Sequence, residues 1–326
     1  MALSNEGLME VPGVRSGWVQ LRSGARAHYS TAGDSGPALV LLHGGIPGSS
    51  GMAGWRFMLP FLGERGLRVF APDRPGFGLA DTRPEHWPRR GWMSWVEFIE
   101  EFADALCLDE FFLAGNSNGA QSAAYYTVNH PERVPRLGLI ATGGFSGSLG
   151  IDRSLLKRGM PIPPFDGTKE SMRDAMSSII YRKEAVSDQL LEMRTRSAIA
   201  QQESFAAAGE WNRRAAEDPN LKQLLNLKGR LDVLMTPTIY LFGKNDVLNP
   251  VENAYLQEDA LPNIQFFYPA ECGHQGQTDQ PEMFNQVFLE FFRDGRVSRK
   301  TADWAGVSQR RPEIPALVEQ ATAVPA

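Results

Sequence analysis

The sequence predicts an α/β fold, a mostly parallel sheet of about eight strands with an inserted helical cap. Short apolar runs recur at 38–42, 67–71, 111–114, 137–141, 238–242 and 264–268. Continuous apolar runs of this length suit strands buried on both faces. Stretches with helical apolar spacing lie between several of them, and one long strandless region interrupts the alternation.

Two alternating segments come first, 18–22 and 26–30. They predict an antiparallel hairpin around Ser23-Gly24. The run 38–42 follows, then 67–71. Residues 92–108 read as a helix, 111–114 as a strand, and 120–129 as a short helix rich in small residues. From about 145 to 229 no strand is expected. That region begins Gly- and Pro-rich, then turns helical over 169–209 and again near 219–228. It is too long for a loop and reads as a cap over one end of the sheet. The strands 238–242 and 264–268 and a helix at 282–292 complete the fold. The expected organisation is core 1–145, cap 146–229, core 230–293 and a C-terminal extension 294–326. The polar, Pro-containing extension is expected to be peripheral or partly disordered.

Composition narrows the function classes. Of 326 residues, 42% are hydrophobic and 22% charged, which excludes a disordered, collagenous or coiled-coil chain. The net charge of −5 and the lack of a long basic patch argue against a nucleic-acid partner. Cys107 and Cys272 form no CxxC, which excludes a zinc ribbon or disulfide scaffold. No apolar stretch is long enough to span a membrane, and residues 1–9 lack the features of a signal peptide. A soluble cytoplasmic protein is the expectation.

Gly115-Asn-Ser-Asn-Gly119 follows a predicted strand and opens a helix, which is the context a nucleophile elbow requires. Ser117 is the candidate nucleophile. Of five histidines, His274 alone follows a strand in the C-terminal part, where a Ser…acid…His order needs a general base. His28, His43, His86 and His130 suit structural roles better. Asp246, in a turn past a buried strand, is the candidate acid that orients the imidazole, with Asp232 and Glu271 as weaker rivals. Two backbone N–H groups should stabilise an oxyanion. Asn118 follows the nucleophile, and Gly45 lies in the loop His43-Gly-Gly-Ile-Pro-Gly48.

In combination these motifs resemble the α/β-hydrolase superfamily. Asp73-Arg-Pro-Gly-Phe-Gly78, His130-Pro-Glu-Arg133, Gly243-Lys-Asn-Asp246 and Cys272-Gly-His274 add to the likeness, which covers about 18–293. Within the superfamily the chain looks most like the meta-cleavage product hydrolases, C–C bond hydrolases of bacterial aromatic degradation. The loop at 43–48, Asn116 before the nucleophile and the cap segments 179–183 and 190–194 carry that likeness. The resemblance implies a Ser-His-Asp hydrolase acting on a 2-hydroxy-6-oxo-hexa-2,4-dienoate. It implies no metal or organic cofactor, a carboxylate-bearing small-molecule substrate and a dimer or higher assembly. It also implies that Arg194 binds the substrate carboxylate. Ile46, Asn116, Arg194 and Gln275 are the expected substrate-binding residues. Two positions depart from the family. Gln275 stands where an aromatic residue is usual, and Asn118 where Met or Leu is usual, so the pocket should be more polar. A carboxylesterase, lactonase or amidase on the same triad is the alternative. A non-catalytic binder is a third reading, disfavoured by the intact set. Serine at 117 disfavours a dehalogenase or epoxide hydrolase with an aspartate nucleophile.

Overall fold

The structure, a computed structural model, describes residues 3–321. One eight-stranded sheet organises them, in the order β1-β2-β4-β3-β5-β6-β7-β8. The strands are β1 Arg15–Gln20, β2 Arg26–Ala32, β3 Ala38–Leu42, β4 Arg68–Pro72, β5 Phe112–Asn116, β6 Leu137–Ile140, β7 Thr238–Leu241 and β8 Gln265–Phe267. β2 is antiparallel to both β1 and β4, and the remaining pairs are parallel. β1 begins three residues before the predicted segment. The turn occupies 21–25, where Leu21 and Ala25 bond through their backbones, so Gln20 is the last residue to pair.

Side chains alternate across a strand, and here the alternation divides the core. Val40 and Leu42 join Leu113, Tyr240 and Phe266 on one face. Phe98 and Phe102 of the helix Trp92–Ala105, with Ala120 and Ala124 of the helix Asn118–Asn129, cover that face. Leu39 and Leu41 join Ala114, Ile239 and Phe267 on the other. That face packs on Leu59 and Leu62 near the N-terminal end and on Phe284 and Phe288 near the C-terminal end.

Between β6 and β7 the chain is helical. It runs through Gly144–Ser148, Lys169–Ile179, Asp188–Ala200, Gln202–Ala215 and Pro219–Leu224. The stretch expected to be helical over 169–209 is therefore broken twice. Ser187 caps the helix Asp188–Ala200, its side chain accepting from Leu190 N–H, so the chain cannot run straight through from Ile179. At the second break buried Gln201 donates to the carbonyls of Gly78 and Ala80, which anchors the bend to the core.

The tail corrects the expectation of a peripheral extension. Val297, Ala302, Ala305, Val307, Leu317 and Val318 belong to the second core layer. β-bridges pair Phe267 with Val307 and Val297 with Val318. The apolar residues are widely spaced among polar ones, so no short window betrays them. Residues 322–326, the end of the extension, lie outside the described residues. At the other end Leu8 and Met9 cluster with Met52 and Ala53 and with Leu190 and Met193 of the helix Asp188–Ala200. Among the described residues no helix is long and apolar enough to cross a membrane.

Candidate active site

The strand order reverses around β3, with β4 on one side and β5 on the other. Ligands of open α/β sheets bind at the carboxyl ends of strands flanking such a switch point. The loop after β3 carries Gly45, and the turn after β5 carries Ser117.

Ser117 has φ 56° and ψ −123°, a conformation uncommon for a residue with a side chain. Its N–H donates to Ile140 O at 2.8 Å. The strain persists because packing leaves no alternative. A Cβ on Gly115 would lie 2.3 Å from the Gly119 carbonyl carbon, and one on Gly119 would lie 2.2 Å from Leu42 O. Strand and helix can approach this closely only with glycine at both positions. Ser117 and Asn118 remain partly exposed within an otherwise buried turn.

Asp246 Oδ2 lies 2.7 Å from His274 Nδ1. Its other oxygen accepts from the N–H groups of Leu248 and Asn249, each at 2.9 Å. Both residues are buried. A carboxylate only accepts, so Nδ1 carries the proton and Nε2 presents a lone pair. His274 Nε2 is buried and has no hydrogen-bond partner among the described residues. Asn116 ties the elbow to the histidine loop, its Nδ2 donating to His274 O at 3.0 Å. That engagement gives Asn116 a bracing contact through Nδ2. Among the described residues neither weaker rival, Asp232 or Glu271, makes a hydrogen bond or ion pair with the His274 ring, which Asp246 engages.

The loop 43–48 is held by two arginines. Buried Arg74 donates from Nη2 to the carbonyls of His43 and Gly44, at 2.7 and 2.8 Å. His43 Nδ1 donates to Gly44 O at 2.7 Å, and its Nε2 accepts from Arg74 N–H at 3.1 Å. Burial, then the Arg74 cation, push His43 down to about 3, so it is a neutral strut. Among the described residues Gly45 N–H has no acceptor. Asn118 opens the helix Asn118–Asn129, where an N–H has no intrahelical acceptor.

Arg194 is 1% exposed. It donates to Pro47 O at 3.3 Å and Ser49 Oγ at 3.2 Å, and its Nε is unpartnered. Among the described residues it has no acidic partner. Burial, reinforced by the Arg56 cation, lowers it to about 9. An anion brought to this guanidinium would relieve the cost of an unpaired buried charge. Ile46 packs on the cluster of Met172, Met176 and Leu191 from the helices between β6 and β7. Gln275 is buried and starts the turn Gly276–Asp279. Arg74 and His43 were legible only as parts of motifs. Their bracing role depends on a contact between residues 31 positions apart.

Comparison with known proteins agrees with this geometry. An α/β hydrolase fold family model matches residues 37–281. The chain is 28% identical over 270 residues to a 2-hydroxy-6-oxononadienedioate/2-hydroxy-6-oxononatrienedioate hydrolase of Paraburkholderia phymatum, covering 82% of this chain and 90% of that one. It is 29% identical over 283 residues to a 2-hydroxy-6-oxo-2,4-heptadienoate hydrolase of Pseudomonas putida, covering 84% and 95%. Among solved structures, a meta-cleavage product hydrolase of Pseudomonas fluorescens aligns with a TM-score of 0.68 at 25% identity, over 90% of this chain and all of that one. The family match spans β3 to β8, the elbow and the histidine loop together, and the chain belongs to the α/β hydrolase fold family.

Proposed function

We propose that this protein is a serine hydrolase that cleaves a C–C bond in a 2-hydroxy-6-oxo-hexa-2,4-dienoate-type ring-fission product. The observation that carries the choice of substrate is Arg194, a buried guanidinium without an acidic partner among the described residues, bonded to the same loop that holds Gly45. An anionic substrate end supplies the missing charge. The names of the relatives, all hydrolases of carboxylate-bearing dienoates, support the same reading.

In this reading the segment 146–229 is a cap and Ile46, Arg194 and Gln275 line the substrate. His274 Nε2 first moves a proton so that the dienol becomes its keto tautomer. Ser117 then attacks the C6 ketone, giving its proton to His274, and Asp246 stabilises the imidazolium. The N–H groups of Gly45 and Asn118 hold the oxyanion. Its collapse breaks the C5–C6 bond, and the carbon leaving group takes a proton as the dienoate departs. Water, activated by His274, hydrolyses the acyl-Ser117 ester to the acid.

A second reading is an esterase, lactonase or amidase. The carboxamide of Asn118 favours it, since this polar group beside the nucleophile would suit a polar acyl substrate. Stopped-flow absorbance with a yellow ring-fission dienoate, beside p-nitrophenyl acetate and butyrate, decides between them. Fast bleaching with much slower ester cleavage supports C–C hydrolysis. Ester turnover without bleaching of any dienoate would sink it.

A further inference from the structure

Asp279 stands outside the triad yet touches both sides of the histidine loop. It is fully buried at the end of the short turn Gly276–Asp279. Oδ2 accepts from Gly273 N–H at 2.7 Å, the residue before His274. Oδ1 accepts from Arg182 N–H at 3.0 Å, and the backbone of Tyr181 also favours the charged carboxylate. Arg182 Nη1 returns to Asp279 O at 3.2 Å. His274 N–H itself donates to Ile179 O at 2.9 Å. The strap 179–182, which leaves the helix Lys169–Ile179, is thus hydrogen-bonded to residues 273 and 274, once directly and once through Asp279.

Among the described residues no side chain makes an ion pair with Asp279. A buried carboxylate satisfied by backbone N–H groups alone is costly, and burial raises its pKa. A carboxylate has two oxygens that only accept, so it can bridge donors on two separate segments. An asparagine would present an N–H to one of them.

We infer that Asp279 is a positioning residue for the general base, through which the cap strap sets the placement of His274. The ring of His274 is fixed by Asp246 and its backbone by the strap. A displaced strap carries Nε2 out of line with Ser117. This inference rests on the reading of Ser117 and His274 as catalytic.

The test uses diisopropyl fluorophosphate, which requires no knowledge of the natural substrate. Its phosphorus bonds to Ser117 Oγ, fluoride leaves, and the serine proton goes to His274. The second-order labelling rate is measured for the full chain and for Asp279→Asn and Asp279→Glu, together with each melting temperature. The expected result is a rate at least about tenfold lower in Asp279→Asn. Its melting temperature stays within about 3 °C of wild type, on the order of 1 kcal/mol. Asp279→Glu restores much of the rate. An unchanged rate overturns the inference, as does a loss that tracks the melting temperature and is not rescued by glutamate. Arg182→Ala removes the Nη1 contact from the cap side and covers the case in which Asp279→Asn does not fold. Its rate should fall in the same direction, and equality with wild type overturns the coupling. Wild type that is not labelled at Ser117 refutes the triad reading itself, which separates the two failures.

Discussion

A Cβ placed on Gly45 would lie 2.0 Å from Asn118 Nδ2 and 2.9 Å from Asn118 Cβ. The two proposed oxyanion donors therefore sit on backbones that pack through a glycine and an asparagine side chain. Gly45→Ala must push either the loop or the amide aside. It should lower kcat by about 10²-fold, the size seen when one oxyanion donor is lost. Adding Asn118→Gly removes the three atoms nearest the new methyl and should recover part of the rate. Steady-state kinetics on the two single variants and the double variant check this, and a double variant no better than Gly45→Ala would contradict it.

Ser117→Ala removes the proposed nucleophile without disturbing the elbow glycines. Turnover of any substrate should fall by at least about 10³-fold. Equilibrium binding of the dienoate, read by its absorbance shift, should persist. Retained turnover would assign the chemistry to another group.

Arg194→Gln keeps a donor near Pro47 O and Ser49 Oγ but deletes the cation. KM for a carboxylate-bearing dienoate should rise about 10- to 100-fold, matching the loss of about 1.5–3 kcal/mol for a charged hydrogen bond. Neutral p-nitrophenyl butyrate should change far less. Equal losses on both substrates would make Arg194 a brace for the loop alone.

Acid stability should report His43. Its folded value is depressed to about 3, against about 6.5 in an unfolded chain. The unfolded state therefore binds more protons between those values, so stability is complete above about pH 6.5 and falls with acid at about 1.4 kcal/mol per pH unit. Urea titrations from pH 7 to 4 should show a steeper decline for wild type than for His43→Gln. Parallel lines would show that His43 does not remain neutral.

The central strands were legible because they are buried on both faces and read as unbroken apolar runs, such as Ala38–Leu42. The elbow was legible because two glycines and a serine must occur at fixed local spacing. Asp246 and His274 followed from their places after β7 and β8. Arg74 and Asp279 were not legible. Each acts on backbone groups far along the chain, Arg74 on residue 43 and Asp279 on residue 182, and no local pattern encodes such a partner. The tail was misread for a related reason. Val297 and Val318 meet through a bridge across 21 positions, and their apolar character is diluted by charged neighbours.

The N-terminal arm has a practical consequence for handling this protein. Leu8 and Met9 touch Met52 and Ala53, which follow the loop 43–48, and also Leu190 and Met193, which flank Arg194. Glu6 accepts from Ser16 and Trp18 on β1. An affinity tag or a trimmed start at this end would pull on the grip that holds the arginine helix against the sheet. The readout for such a change is the ratio of dienoate to neutral-ester turnover, the property proposed for Arg194. Tag position is thus a variable to control when the proposed role of Arg194 is tested, and the fusion belongs at the other terminus, beyond Val318.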